Sequence, residues 1–205
     1  RQLECRRRPS SPVSDEMAEA EKARVKLAKQ DQKEANELLV AVGKQDEARV
    51  RRLLGIGHNP DGSECATRPS GVQGMTDGFS ALMLALMRGN LVIARLLLVA
   101  GATVDVGMGE HGTTVLMAAA GNNMLDFARL FFEFRANPNV VNKLGMTALH
   151  CAAGRGHAAM TRLLVDHSAA LNVRSVKGAT ALHLAALKGK IEVVRFLLGA
   201  DAAID

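Results

Sequence analysis

The sequence predicts an all-α solenoid of antiparallel helix pairs, and three observations carry that prediction. First, Gly145-Met-Thr-Ala-Leu-His150-Cys-Ala-Ala-Gly-Arg-Gly156-His157 returns as Gly178-Ala-Thr-Ala-Leu-His183-Leu-Ala-Ala-Leu-Lys-Gly189-Lys190, 33 residues later. Second, degenerate copies open at Gly78-Phe-Ser-Ala-Leu-Met83 and Gly112-Thr-Thr-Val-Leu-Met117, so the steps between copies are 34, 33 and 33. Third, each copy carries a second apolar run: Leu96-Leu97-Leu98, Leu130-Phe131-Phe132, Leu163-Leu164-Val165 and Phe196-Leu197-Leu198. A fixed period of this length marks units that bury their apolar faces only against their neighbours.

A 33-residue unit of this pattern, Gly-x-Thr-x-Leu-His-x-Ala-Ala followed by Gly-His and an apolar run, resembles the ankyrin repeat. The resemblance spans about residues 34–205 and implies helix pairs joined by β-hairpin-like fingers. The register divides the chain into a basic tail and charged N-terminal helix over 1–33 and a repeat domain over 34–205. Its units fall at about 34–58, 77–109, 110–142, 143–175 and 176–205, with a loop over 59–76.

Arg6-Arg-Arg8 and Pro9-Ser-Ser-Pro12 read as a tail in preference to an import patch. Ser14 is positioned to cap a helix, with Asp15 and Glu16 in the first turn where the helix dipole favours acids. The pairs Glu19–Lys22 and Glu21–Arg24 support it, and its thin stripe of Met17, Ala20 and Leu27 leaves most of it solvated. In the first unit, Leu38, Ala41 and Gln45-Asp46 align with Leu149, Ala152 and Gly156-His157, without the Gly-x-Thr opening. The stretch 59–76, with Pro60, Pro69, Gly62, Gly71 and Gly74, reads as a loop inserted between units.

From residue 77 onward the parts repeat. Ser80, Thr114, Thr147 and Thr180 stand where a hydroxyl can cap a helix. Ala81, Val115, Ala148 and Ala181 follow where the family usually has Pro. Leu82, Leu116, Leu149 and Leu182 are core positions, and Ala85, Ala119, Ala152 and Ala185 let helices approach. Gly89, Asn123, Gly156 and Gly189 end the inner helices at positive φ. Gly101, Arg135, Ser168 and Asp201 occupy the left-handed position after the outer helices, where a non-Gly residue costs up to about 1 kcal/mol. Asp105, Asn139, Asn172 and Asp205 anchor the fingers that follow.

Composition narrows the function. Aromatic residues make up 3% of 205 residues, with no Trp or Tyr, which disfavours a deep aromatic-lined ligand pocket. A net charge of +5 spread along the chain lacks the concentrated basic face of a nucleic-acid binder. Cys5, Cys65 and Cys151 are odd in number and far apart, so no disulfide framework is implied and a reducing, intracellular compartment is favoured. No apolar run reaches ~18 residues, and no secretory signal is visible. The chain opens on Arg1, which reads as a fragment or processed product, and it ends on Asp205 without a polar capping unit, which points to further repeats or a partner there.

Chemistry finds little purchase. Gly107-Met-Gly109-Glu-His-Gly112 matches Gly-x-Gly-x-x-Gly, but the register places it in a finger one residue longer than its neighbours, outside any strand–helix–strand unit. His150, Cys151, His157 and His167 lack paired metal-ligand spacing. Cys151 beside His150 is no nucleophile–base pair, because adjacent helical residues point apart. In the family the His of this box ties adjacent units together, which implies that role for His150 and His183; Met83 and Met117 lose the bond. Arg95, Arg129, Arg162 and Arg195, with Arg51 in the first unit, form a convex ladder that reads as a solvated face, with an acidic partner as the alternative.

The resemblance implies a non-catalytic protein–protein interaction module: no catalytic residues, no cofactor, no metal and no small-molecule substrate. Partners would be one or more proteins, in a multi-subunit complex. The module acts as an adaptor or structural subunit of an intracellular assembly, cytoplasmic first, with cytoskeletal or nuclear sites as alternatives. A regulatory or targeting domain of a longer enzyme, or an ankyrin-type enzyme inhibitor, are the competing readings. By register the binding positions on the fingers are Phe79, Glu110, His111, Lys143, Leu144, Met146, Val176 and Lys177. Those on the inner helices are Met87, Arg88, Asn122, Arg155, Leu187 and Lys188.

Overall fold

A computed structural model describes residues 33–54, 75–76, 79–200 and 202. The expected tail and N-terminal helix lie almost wholly outside these residues, as does most of the loop 59–76. The chain folds as stacked antiparallel helix pairs: α1 (33–43) with α2 (Glu47–Leu53), α3 (Ala81–Met87) with α4 (Leu91–Val99), and α5 (Val115–Gly121) with α6 (Leu125–Glu133). The last two pairs are α7 (Ala148–Arg155) with α8 (Ala158–Asp166) and α9 (Ala181–Leu187) with α10 (Ile191–Gly199). Two short strands, β1 (Met75–Thr76) and β2 (Phe79–Ser80), pair antiparallel ahead of α3. A hairpin finger therefore begins inside the stretch expected to end as loop at residue 76.

The caps explain where the inner helices start. Ser80 Oγ accepts from Met83 N–H at 3.2 Å and Thr114 Oγ1 from Met117 N–H at 3.2 Å, while Thr147 and Thr180 build capping boxes with His150 and His183. These bonds satisfy backbone donors that a helix start would otherwise leave orphaned. Seven of the expected left-handed stops are in place: Gly89, Asn123, Gly156 and Gly189 after the inner helices, and Gly101, Arg135 and Ser168 after the outer ones, all at positive φ, while Asp201 lies outside the described residues. Gln45 has φ 57 at the matching point of the first unit, so it takes the turn that later units give to Gly or Asn.

The core is one continuous band. Leu82, Leu116, Leu149 and Leu182 are buried on the inner helices, with Ala85, Ala119, Ala152 and Ala185 letting backbones close up. Leu97, Phe131, Leu164 and Leu197 bury the outer helices against them. Outer helices also touch through rings, with Phe132 stacked on His167 at 3.9 Å between centroids.

Fingers join unit to unit by backbone bonds. Lys143 N–H donates to the His111 carbonyl and Val176 N–H to the Leu144 carbonyl, both at 2.9 Å. Side chains add a second tie: Asp105 accepts from Asn137 N–H at 3.1 Å, and Asn139 accepts from Ala170 N–H at 2.7 Å. The anchoring role expected of Asp105 and Asn139 is thus a bond to the turn of the next unit.

Candidate protein-interaction surface

The fingers and inner helices α5, α7 and α9 share one side of the stack, and their exposed residues form the candidate surface. The fingers ahead of α5, α7 and α9 owe their shape to glycines. In the finger ahead of α5, Met108 and Thr113 pair as a β-bridge, and a Cβ on Gly107 would stand 2.6 Å from the Gly112 carbonyl oxygen. Gly109 and Gly112 lie at positive φ. The Gly-x-Gly-x-x-Gly pattern is therefore hairpin chemistry, with its Met108 and Gly112 N–H groups bonded to Thr113 and Gly109 carbonyls. That loop closes between residues five apart, against four for Asn142–Met146 and Ser175–Ala179, which matches the extra residue read from the sequence.

His150 is 1% exposed and ties two units. Its Nδ1 accepts from Thr147 N–H at 3.1 Å, and its Nε2–H donates to the Ala179 carbonyl at 3.1 Å, which fixes the neutral tautomer. Burial lowers its pKa below the usual 6.5, with bonds to the Ala179 and Val173 backbone acting weakly the other way. His183 Nδ1 likewise accepts from Thr180 N–H, at 3.4 Å, with the Thr180 hydroxyl 2.8 Å away, and this residue is exposed. Where Met83 replaces the histidine, the Ser80 amide finds another acceptor: the Met108 thioether, 3.1 Å away in the next finger. The sequence showed the lost bond but not this substitute, because the sulfur comes from a residue 28 positions on.

Of the fourteen expected positions, Leu144 (44% exposed), Val176 (76%), Met87 (67%) and Leu187 (81%) present apolar side chains to solvent. Arg88, Glu110, His111, Lys143, Lys177 and Lys188 are exposed and Met146 is half-buried. Phe79 sits in β2, and its side chain lies outside the described residues. Asn122 and Arg155 are exposed but not independent: Arg155 Nη1 donates to Asn122 Oδ1 at 3.1 Å and to the Gly121 carbonyl at 2.7 Å.

Between the inner helices runs a groove of about 320 Å³ that the sequence reading did not find. Ala118, Gly121, Cys151, Gly154 and Leu184 line it, beside Asn122, Met146, Arg155 and Lys188 of the expected set. Its signal was present in the register. Gly121 and Gly154 fall in the slot that holds Met87 and Leu187 in other units. The two consecutive glycines leave a notch between Met87 and Leu187. Burial pushes the Cys151 thiol pKa up, partly offset by nearby Arg155, so the groove does not hold a thiolate at neutral pH.

On the opposite side the arginine ladder is partly neutralised. Arg95 pairs with Glu133 at 2.9 Å and Arg162 with Glu192 at 3.8 Å, while the Arg162 guanidinium lies 5.3 Å from the Phe196 ring centroid. Half-exposed pairs of this kind contribute little stability. Among the described residues no group of His, Cys, Asp and Glu side chains is placed to hold a metal ion.

Helix pairs stacked on a continuous core, with fingers and inner helices turned to one side, define a repeat-built solenoid. The family model described as ankyrin repeats (3 copies) matches residues 38–142 and 116–205, and the chain belongs to the ankyrin repeat family. A stretch of 67 residues, 33% of this chain, is 45% identical to a protein of Treponema pallidum (strain Nichols) named as ankyrin repeat-containing. That match covers 22% of the relative's length. Ankyrin repeats are in general protein–protein interaction modules, and the family is typically non-enzymatic. Among the described residues no helix is long and apolar enough to cross a membrane.

Proposed function

We propose that this chain is a non-catalytic adaptor or structural subunit of a larger intracellular assembly, cytoplasmic in the first instance, and that its fingers and inner helices are the binding side. The observation that carries this reading is the exposure of Leu144, Val176 and Leu187 on that side. Apolar residues at finger tips have no core to fill, and clustered exposed apolar groups mark interaction sites. The neighbouring Lys143, Lys177 and Lys188 supply a polar rim of the kind that surrounds interface anchors.

The test is the double variant Leu144→Asp with Val176→Asp, compared with the unaltered chain in capture of the native assembly. Both side chains face solvent, and the inter-finger bond uses backbone atoms, so helical content should be unchanged while capture falls by about tenfold or more. Unchanged capture would refute the binding side. Loss of helical content would show that these residues hold the array together.

A further inference from the structure

We infer that the notch at Gly121 and Gly154 receives a single large apolar side chain from an acidic segment of a partner protein. The inference rests on the proposed binding side and specifies what it recognises. Three observations carry it: the notch, its floor and the distribution of charge around it.

The notch exists because the row of residues at the ends of the inner helices reads Gly43, Met87, Gly121, Gly154 and Leu187, with the two glycines of α5 and α7 side by side. A Cβ on Gly154 would meet only ordinary contacts, the closest being Leu184 Cβ at 3.6 Å. The backbone therefore does not demand glycine there, and Gly154 has an ordinary helical conformation within α7. The floor is apolar, made by Ala118, Cys151 and Leu184. A space of about 320 Å³ sits at the small end of ligand-sized cavities and suits one or two side chains.

Charge selects the partner. From residue 113 to residue 200 the acidic side chains are Asp126, Glu133, Asp166 and Glu192, and all four lie on the outer helices α6, α8 and α10; just before that range, Glu110 is an exposed carboxylate on the finger ahead of α5. On the other side, Lys143, Arg155, Lys177 and Lys188 are exposed, and among the described residues no carboxylate pairs with them. The Lys188 amine stands 3.9 Å from the point a Gly154 Cβ would occupy, so a cation borders the notch itself. A positive rim over an apolar notch is complementary to carboxylates flanking an apolar anchor.

The experiment selects a phage library of random dodecapeptides on the whole chain and measures the winning peptides by fluorescence polarisation. Enriched peptides should be rich in Asp and Glu around one Leu, Ile, Met or Phe. Binding should weaken by about tenfold or more in Gly154→Met, which fills the notch, and when the peptide's anchor is changed to Ala. Cys151→Leu, which places the Leu84 and Leu184 side chain type in the matching slot, serves as a second filler whose fold can be checked independently. No enrichment, enrichment without acidic bias, or fillers that both bind as tightly as the unaltered chain would overturn the inference. So would displacement by a single-stranded oligonucleotide of peptides that keep their affinity without the anchor, since that marks general polyanion binding. Success of the Leu144 and Val176 capture test alongside such a failure would leave the binding side standing and remove only its assigned ligand.

Discussion

Arg155 donates its Nη1 proton to the carbonyl of Gly121 across 2.7 Å, and His157 Nε2 meets the same oxygen at 3.1 Å. Gly121 ends α5, where carbonyls lack intrahelical partners and the helix dipole is negative. One unit thus caps the helix of the unit before it. Replacing Arg155 with Ala should lower stability by about 0.5–1 kcal/mol, a modest value because the guanidinium is solvent-exposed. Arg155→Lys should recover only part, since Nη1 is aimed at both the carbonyl and Asn122 by the rigid planar guanidinium, whereas an ammonium on a flexible stem is held less firmly there. Urea midpoints of the three proteins would check this. Equal midpoints would remove the cap from the account.

His150 makes stability depend on pH. Its folded pKa lies below 6.5, so the unfolded chain takes up the proton first as pH falls. The contribution is present in full above the unfolded pKa and is lost as pH drops below 6.5 towards the folded value. His150→Met, which copies Met83 and Met117 in the same slot, should flatten this part of the curve. At about pH 7.5 the variant should be less stable by about 1–3 kcal/mol, because the Ala179 carbonyl loses its donor. Denaturant titrations at about pH 7.5 and about pH 5 would separate the two effects.

Gly145 is required twice over. Its φ is 69, and an added Cβ would stand 2.9 Å from the Val176 nitrogen, the atom that donates to the Leu144 carbonyl. Gly145→Ala should therefore cost about 1–3 kcal/mol and speed amide exchange at Val176. Gly178 has a similar φ of 75 with nothing near its Cβ position, so Gly178→Ala should cost less. The difference between the two variants isolates the finger-to-finger contact.

Arg135 and Ser168 adopt φ 61 and 64 at the turns after α6 and α8. Glycine at either position should stabilise the array by about 0.5–1 kcal/mol by removing the left-handed penalty. For a domain of this size that is a rise of roughly 2–4 °C in Tm per kcal/mol. A fall in Tm for both variants would show that the side chains make contributions larger than the backbone strain.

Repetition made most of this fold legible. Thr147 and Thr180 predict their helix starts, Gly156 and Gly189 their stops, and Leu149 and Leu182 their core, because each residue type appears twice at one spacing. What escaped the sequence depends on contacts between units. The Met108 sulfur on the Ser80 amide joins residues 28 apart, and the bonds of Arg155 and His157 to Gly121 join residues 34 and 36 apart. The groove was encoded as an absence of side chain at Gly121 and Gly154, which a search for chemical groups passes over. Asn122 and Arg155 fall at binding positions by register, and their mutual bond shows that part of their capacity is already committed.

The measurement that tests the central claim most directly is cross-linking with mass spectrometry on the chain captured from its native extract. The account predicts links from Lys143, Lys177 and Lys188 to one stoichiometric neighbour, since these lysines surround the exposed Leu144, Val176 and Leu187. Links confined to Lys22, Lys26 and Lys29, with the finger-side lysines unreacted towards any partner, would contradict it and move the binding site away from the repeats.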